Sequence, residues 1–235
     1  MISPYSQGDT NFKSLAKVRA DSIFSDYTFY KDVKVTNEII FSNANFFEKK
    51  YKNKKILIFG GGPSTNIFFQ KGMPMNYDFL WSVNHFFLNP YLRNVKIDLA
   101  MIMLEPNIFS KDFINYYNEF RPILGFELHD KWKSVTIPYK ECFVMQTRFY
   151  GILGACQRMI IFAALLGVQQ VDFVGLDGLS AIRNGDHSFQ PGKKTLPSIS
   201  SDVVYDFQYQ ELWKYLYNFR NKTKFNNLSK LARTR

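Results

Sequence analysis

Five places in the chain bring polar side chains or glycines directly after a short apolar run, and their residue types suit the binding of a nucleotide or phosphate. They are Gly60-Gly61-Gly62-Pro63-Ser64, Asn84, Glu105, Arg148 and Asp177. Short apolar runs bounded in this way are typical of buried parallel strands. Open parallel sheets bind ligands outside the carboxyl ends of their strands, so we expect the five places to meet at one edge of a sheet.

The turn Gly60–Ser64 has the composition of an anion site. Glycines let the backbone approach a ligand closely, and the N–H groups at a helix start attract anions. We therefore predict that the turn contacts a phosphate or ribose, and that Ser64 caps the following helix. The spacing is neither Gly-x-Gly-x-x-Gly nor a phosphate loop with its Lys, so neither a dinucleotide enzyme nor an NTPase follows from it. Close packing of a strand against a helix is the alternative explanation.

Composition excludes several classes of protein. The chain has 235 residues, of which 46% are hydrophobic and 17% aromatic, so we predict a globular domain with a substantial core. The two cysteines, Cys142 and Cys156, fall in predicted core elements, which favours a reduced, cytoplasmic setting and gives no zinc spacing. The first residues lack the apolar core of a signal peptide, and the longest apolar stretch, Met159–Val168, is too short to span a membrane.

The net charge of +10 is concentrated in two segments, Lys49–Lys55 and the residues from Lys214 onward. The second segment contains seven Lys or Arg residues and no acid. A basic tail of this kind suits an anionic membrane surface, an acidic glycan or a nucleic acid, and a solvated terminal helix is the alternative. Motifs of nucleic-acid binding are absent, so we rank that partner lowest.

The order of the apolar runs predicts an α/β fold. We predict a Rossmann-like, three-layer α/β/α arrangement with a mostly parallel sheet and a small lid at 179–201. A buried helix over 151–166 is predicted to end at Gly167. The predicted domains are an N-terminal extension (1–50) packing on the core, an α/β domain (51–220) that contains the predicted ligand site, and a basic C-terminal tail (221–235).

The order of these residues resembles a known family. Gly60-x-Gly-Pro-Ser64 is similar to the Gly-x-Gly-Pro-Ser turn of the small, Campylobacter-type bacterial sialyltransferases that use CMP-sialic acid, and of related pterin-diphosphokinase-like and motility-accessory-factor-like proteins. Asn84, Gln146-x-Arg148 and Gly175-x-Asp177 resemble the family's residues after later strands. His187 falls where the family has its lid histidine. The resemblance covers roughly residues 55 to 190 and implies a GT-A-like variant of the fold.

Three departures from the family bear on the donor. Glu105-Pro106 stands where the family has Asn-Pro, and Phe149-Tyr150-Gly151 stands where it has Thr-Ser-Gly. The lid contains no tyrosine, so Lys193 or Lys194 would replace the family's phosphate-binding hydroxyls. The donor implied is therefore CMP-sialic acid or another sugar nucleotide.

His187 is the candidate general base. A neutral imidazole, with an unperturbed pKa of about 6.5, can take the proton of an acceptor hydroxyl. The alternative is a histidine in a surface loop. For His85 and His129 we favour structural or solvent-facing roles.

The remaining candidate residues would bind the donor. Arg148 could hold a phosphate or carboxylate with its forked donors, or form a surface ion pair. Lys193 and Lys194 could neutralise the leaving phosphate, or be a solvated charge pair. Gly151 follows Arg148 at the position of the family's glycine.

Three polar residues at predicted strand ends have alternative roles. Asn84 could hydrogen-bond ribose or base, or cap a turn. Glu105 could hydrogen-bond cytosine, ribose or an acceptor hydroxyl, or act as an alternative base. Asp177 could orient the loop or a ligand, although the resemblance implies a structural role there.

The leading hypothesis is an inverting, metal-independent glycosyltransferase that moves sialic acid or a related sugar from a CMP-activated donor to a glycan or glycolipid hydroxyl. No Asp-x-Asp is present, and no cofactor or metal is expected. The alternatives are Mg²⁺-dependent diphosphate transfer from ATP to a small alcohol, and a non-catalytic nucleotide- or glycan-binding protein. A methyltransferase ranks lower. We expect cytoplasmic protein, peripheral at the inner membrane face through the basic tail, and a homo-oligomer as the resemblance allows.

Overall fold

A computed structural model describes residues 44–103, 106–127, 138–144, 154–177, 187–189, 209–210 and 212–229. The α-helices with defined bounds in these ranges are α1 (Ala44–Tyr51), α2 (Ser64–Gln70), α3 (Lys111–Phe120) and α4 (Ala155–Leu165). The strands are β1 (Lys55–Phe59), β2 (Phe79–Val83), β3 (Leu99–Met103), β4 (Ile123–Glu127), β5 (Cys142–Val144), β6 (Gln170–Val174) and β7 (Lys224–Asn227). Short 3₁₀ segments lie at Phe86–Leu88, Leu92–Asn94, Pro106–Phe109 and Tyr217–Phe219.

The seven strands form one sheet in the order β5-β4-β3-β2-β1-β6-β7. Every described pairing in it is parallel. All strands therefore begin at one edge, which we call the amino edge, and end at the other, the carboxyl edge. The predicted α/β class is confirmed, and the described sheet is entirely parallel rather than mostly so.

Alternation along β1 creates two cores, one on each face of the sheet. Ile56 and Ile58 face a core that includes α4 and α1, whereas Leu57 and Phe59 face a second core that includes α2 and α3. Successive side chains of a strand point to opposite faces, so a strand covered on both sides reads as the continuous apolar run seen here. Helices on both faces give the predicted three layers.

The helix predicted over 151–166 is observed as α4, and residues 151–153 lie outside the described ranges. Its residues from Ala155 to Ala164 are all buried, Gln157 and Arg158 among them. Gly167 follows the helix with a φ of 72°, a conformation that glycine adopts without a steric penalty. The helix α4, which is apolar on nearly every face, is therefore buried on nearly every face.

The structure describes part of each predicted terminal segment. Phe47 of α1 is 1% exposed and packs on Phe162 of α4, with ring centroids 5.6 Å apart. The described residues 44–50 of the predicted extension therefore pack on the core through Phe47, and residues 1–43 lie outside the described ranges. At the other end, β7 extends the sheet beyond the predicted boundary at 220. Residues 221–229 are therefore part of the folded domain and not of a tail.

The two cysteines lie in the core, as predicted. Both thiols are free and buried. Burial raises the pKa of Cys142 to about 12, and burial together with the negative charge of Asp177 raises the pKa of Cys156 to about 12. Neither thiol is therefore an available nucleophile near neutral pH. Across the described residues, no cluster of three or more His, Cys, Asp or Glu could hold a metal ion, and no helix is both long and apolar enough to span a bilayer.

Candidate functional site at the carboxyl edge of the sheet

The glycine turn after β1 is joined to the turn after β6. The N–H of Gly60 donates to the carbonyl of Val174 at 2.7 Å, and the N–H of Gly62 donates to the carbonyl of Gly175 at 2.9 Å. The strands β1 and β6 are neighbours in the sheet, so the two turns leave it side by side. The parallel pairing thus continues past the strand ends into the loops.

Close approach of these turns explains the glycines. A Cβ on Gly60 would lie 2.7 Å from the carbonyl oxygen of Gly175, and a Cβ on Gly62 would overlap the carboxylate of Asp177. Gly175 has a φ of +83°, and a Cβ there would meet the backbone oxygen of Gly60 at 2.5 Å. Two of the predicted site residues, Gly60 and Gly62, therefore have a packing requirement that is independent of any ligand.

Asp177 occupies the amino end of α2. Its Oδ2 accepts a hydrogen bond from the N–H of Ser64 at 2.9 Å. A carboxylate in this position satisfies an N–H group that the helix cannot satisfy itself, and opposes the positive end of the helix dipole. The chain thus supplies its own anion at the place where the sequence predicted a ligand phosphate.

Ser64 does not cap α2 as predicted. Pro63 occupies the N-cap position, and Ser64 is the first residue of the helix. The Ser64 hydroxyl instead accepts from the N–H of Gly175 at 2.9 Å, and the side chain is fully buried. The Ser64 hydroxyl therefore joins the turn after β1 to the turn after β6, and it does not satisfy an N–H group of the helix.

Most N–H groups of the glycine turn therefore donate within the protein. Those of Gly60, Gly62 and Ser64 bond to the β6 side of the site, and that of Thr65 bonds to the carbonyl of Gly62 at 3.1 Å. The predicted contact of Gly62 and Ser64 with a ligand stays a prediction. It requires backbone or side-chain atoms other than these bonded N–H groups.

We expect the Asp177→Ala variant to lose about 1–2 kcal/mol of unfolding free energy, because the N–H of Ser64 then lacks its acceptor. Asp177→Asn keeps a side-chain oxygen at the same place and should lose less than half as much. Urea denaturation of both variants measures the difference. Equal losses, or none, would show that the hydrogen bond to Ser64 does not stabilise the fold.

His187 lies against the glycine turn. A Cβ on Gly61 would lie 2.5 Å from Cε1 and 2.6 Å from Nε2 of the imidazole, so only glycine at 61 admits the ring. The N–H of Ser188 donates to the carbonyl of Gly61 at 2.8 Å, which fixes the backbone beside the histidine. The half-buried imidazole is thereby held at the carboxyl edge, next to the end of β1.

Two asparagines that belong to no sequence motif hold this segment. Asn66 Nδ2 donates to the carbonyl of Ser188 at 2.7 Å, and Asn89 Nδ2 donates to Asn66 Oδ1 at 2.7 Å. Asn89 is fully buried. Neither asparagine stands at a predicted strand end, and no local pattern distinguishes them from turn residues.

His85 packs near His187 instead of facing solvent. The two imidazole centroids are 6.2 Å apart with the rings nearly perpendicular, and Phe189 lies 4.1 Å from His187 and 4.7 Å from His85. Asn84, just before His85, has a φ of 50° and its N–H donates to the carbonyl of Met101 at 2.9 Å. Asn84 therefore makes the turn at the end of β2, a conformation that asparagine tolerates.

The structure brings together the glycine turn, Asp177 and His187, and it places Asn84 beside His85 at the same edge. The other candidates lie outside the described residues, and their roles stay predictions. These are Glu105, Arg148, Gly151, Lys193, Lys194 and His129.

Comparison with known proteins gives no match to a protein-family model or to a curated protein. Among solved structures, the chain is similar to a single-residue variant of the sialyltransferase Cst-II in complex with CMP, with a TM-score of 0.48 and 13% identity over 76% of this chain and 82% of that chain. It is also similar to the sialyltransferase CstII from Campylobacter jejuni in complex with CMP-3FNeuAc, with a TM-score of 0.48 and 13% identity over 73% of this chain and 80% of that chain.

Proposed function

We propose that the protein is an inverting glycosyltransferase that moves sialic acid or a related sugar from a CMP-activated donor to a hydroxyl of a glycan or glycolipid. One observation carries the proposal: the imidazole of His187 packs against the backbone of Gly61, at the carboxyl edge of a parallel sheet. Ligands of such sheets bind at this edge. The family resemblance of the motifs supplies the donor class.

In the proposed reaction His187 acts as the general base. The imidazole takes the proton from the acceptor hydroxyl as the oxygen attacks the anomeric carbon. The bond from that carbon to the phosphate oxygen breaks on the opposite face, and CMP leaves with the electron pair, so the configuration at carbon inverts. The leaving group is a monophosphate ester, which cationic side chains can neutralise without a divalent ion.

The hydrogen bonding of the glycine turn bears on how the donor phosphate is bound. The N–H groups of Gly60, Gly62 and Ser64 already donate within the protein, and Asp177 places a carboxylate beside them. A phosphate would be repelled by that carboxylate at close range. We therefore assign the phosphate to the cationic candidates Arg148, Lys193 and Lys194, and place the uncharged part of the donor against Gly61.

Thermal-shift measurement tests the donor class. We expect CMP to raise the melting temperature of the protein, with ligand concentrations well above Kd giving about 2–3 kcal/mol of added stability, or about 4–12 °C. ATP with Mg²⁺, CDP, UDP and S-adenosylmethionine are the comparison ligands. A shift only with ATP and Mg²⁺ that EDTA abolishes would replace the proposal by diphosphate transfer.

A second measurement tests the reaction itself. CMP release from CMP-sialic acid or CMP-Kdo should be detectable with the wild-type protein and an acceptor glycan. Binding of CMP without release from either donor, across a range of glycan acceptors, would favour a non-catalytic nucleotide-binding protein.

A further inference from the structure

The amino edge of the sheet, opposite the candidate site, carries a cluster of exposed lysines. Lys55 begins β1 and Lys224 begins β7, and both pair in register with Gln170 of β6 between them. Neighbouring strands lie about 4.8 Å apart, so the two backbones are about 10 Å from each other. Lys52 and Lys222 precede the same two strands and are also exposed.

Two large apolar side chains are exposed in the segments that precede β2 and β7, and these segments pack on opposite faces of the sheet. Met75 is 43% exposed in the loop before β2, and this loop is tied to β1 by the hydrogen bond from the N–H of Asp78 to the carbonyl of Lys55. Tyr217 is 62% exposed in the segment before β7, and the guanidinium of Arg220 lies 3.7 Å from its ring centroid. The lysines at the starts of β1 and β7 therefore have an exposed apolar side chain on each face of the sheet.

Among the described residues of the loops directly before β1, β2 and β7, the acid is Asp78, and it does not cancel the charge of the lysines. Asp78 forms an ion pair with Lys54 at 3.6 Å and accepts from the N–H of Lys55 at 2.8 Å, which lowers the pKa of its carboxyl. One carboxylate is thus matched by the lysine beside it. Lys52, Lys55, Lys222 and Lys224 remain as surplus positive charge.

We propose that this amino-edge surface, formed by Met75, Tyr217, Lys52, Lys55, Lys222 and Lys224, binds an anionic lipid bilayer. Each Lys near an anionic membrane contributes about 1 kcal/mol, and exposed Tyr and Met side chains suit the boundary between headgroups and acyl chains. Phosphate contacts alone would explain the lysines on a nucleic-acid-binding surface, but they leave the exposed Met75 and Tyr217 without a role.

The proposal differs from binding through a basic tail. Lys224 belongs to β7, and Lys222 lies in the turn before it. The positions of both lysines relative to Lys55 are therefore set by the fold. The strands β1 and β6 each contain five residues. At a rise of about 3.3 Å per residue, the carboxyl edge lies about 17 Å from the amino edge. The candidate site would therefore face away from the bilayer.

Flotation of the full chain with lipid vesicles tests the proposal. We expect binding to phosphatidylcholine vesicles containing 30% phosphatidylglycerol, weak binding to phosphatidylcholine alone, and a decline of binding as salt rises above about 0.15 M. The edge variant combines Met75→Ser, Tyr217→Ser and Lys222→Gln. It should bind at least about tenfold more weakly, because two apolar contacts and one charge are removed.

The chain offers a matched control at the other edge. Phe109 and Ile114 are 46% and 41% exposed, and the exposed Lys111 lies between them in sequence. The control variant combines Phe109→Ser, Ile114→Ser and Lys111→Gln and should bind within about twofold of the wild type. Both triple variants change exposed residues only, so thermal unfolding should confirm that each is folded.

Four results would overturn the proposal. One is equal binding by the edge variant and the wild type. Another is equal weakening in the edge and control variants. The third is loss of binding only when residues 230–235 are deleted, which would place the contact in the terminal residues. Retention of the chain by double-stranded DNA with no flotation on anionic vesicles would likewise assign the surface to nucleic acid.

Discussion

Replacing His187 by alanine is expected to lower the kcat of sugar transfer by about 10²–10⁴-fold, the usual effect of removing a general base. The imidazole is the titratable side chain that the structure holds against the backbone of Gly61. In the proposed reaction, the acceptor hydroxyl then lacks the imidazole that takes its proton. Initial rates of CMP release at saturating donor and acceptor measure the effect.

Two further variants separate base chemistry from packing of the ring. His187→Phe keeps an aromatic ring near Phe189 but has no base, so its rate should fall as far as that of His187→Ala. His85→Phe also keeps a ring in contact with Phe189 and should stay within about tenfold of the wild type. The CMP-induced thermal shift should persist in all three variants if they fold. Full activity of His187→Ala would remove the base assignment while leaving the donor assignment intact.

Gly175→Ala is expected to destabilise the fold by about 3 kcal/mol or more. The φ of +83° alone costs a non-glycine residue about 1–2 kcal/mol. The added Cβ would also meet the Thr65 hydroxyl and, at 2.5 Å, the carbonyl oxygen of Gly60. Because the oxygen belongs to backbone that is itself bonded to β6, it cannot move away cheaply, and overpacking of this kind adds about 1–3 kcal/mol.

Gly72→Ala is the matched control for this prediction. Gly72 also has a positive φ, of 57°, but a Cβ there would meet nothing within 4 Å. Its replacement should cost only the conformational part, about 1–2 kcal/mol. Urea denaturation measures the loss of unfolding free energy in each variant. Gly72→Ala reports the backbone strain alone, and Gly175→Ala reports the strain together with the steric clash. Equal losses would show that the turns after β1 and β6 are not in tight contact. Since a domain is typically stable by about 5–15 kcal/mol, Gly175→Ala should also reduce the yield of soluble protein.

The strands of the sheet were largely predictable from local sequence. The apolar run Phe79-Leu80-Trp81-Ser82-Val83 coincides with β2, and β1 and β3 to β6 lie on apolar runs of the same kind. Strands buried on both faces are continuous apolar runs, which a short window of sequence reveals. Gly167 was likewise readable as a helix end because a positive φ favours glycine.

The strand β7 was missed, and its side chains explain why. It reads Lys-Phe-Asn-Asn, which has no apolar run and no alternation. Its place in the sheet depends on Asp172, whose buried carboxylate accepts from Asn226 at 2.6 Å and from Tyr77 at 2.6 Å. Asp172 lies 54 residues from Asn226 in the chain, so no local window contains both partners.

The glycine turn Gly60–Ser64 has features that follow from local sequence and features that depend on contacts distant in the chain. The sequence determined that a strand ends there, that a helix follows, and that the backbone must come close to something. Only the tertiary structure decided what it approaches: Asp177, 113 residues away from Ser64, and the imidazole of His187. An N–H group at a helix start attracts any acceptor that the fold brings to it, and whether that acceptor is a ligand or a side chain depends on contacts distant in sequence.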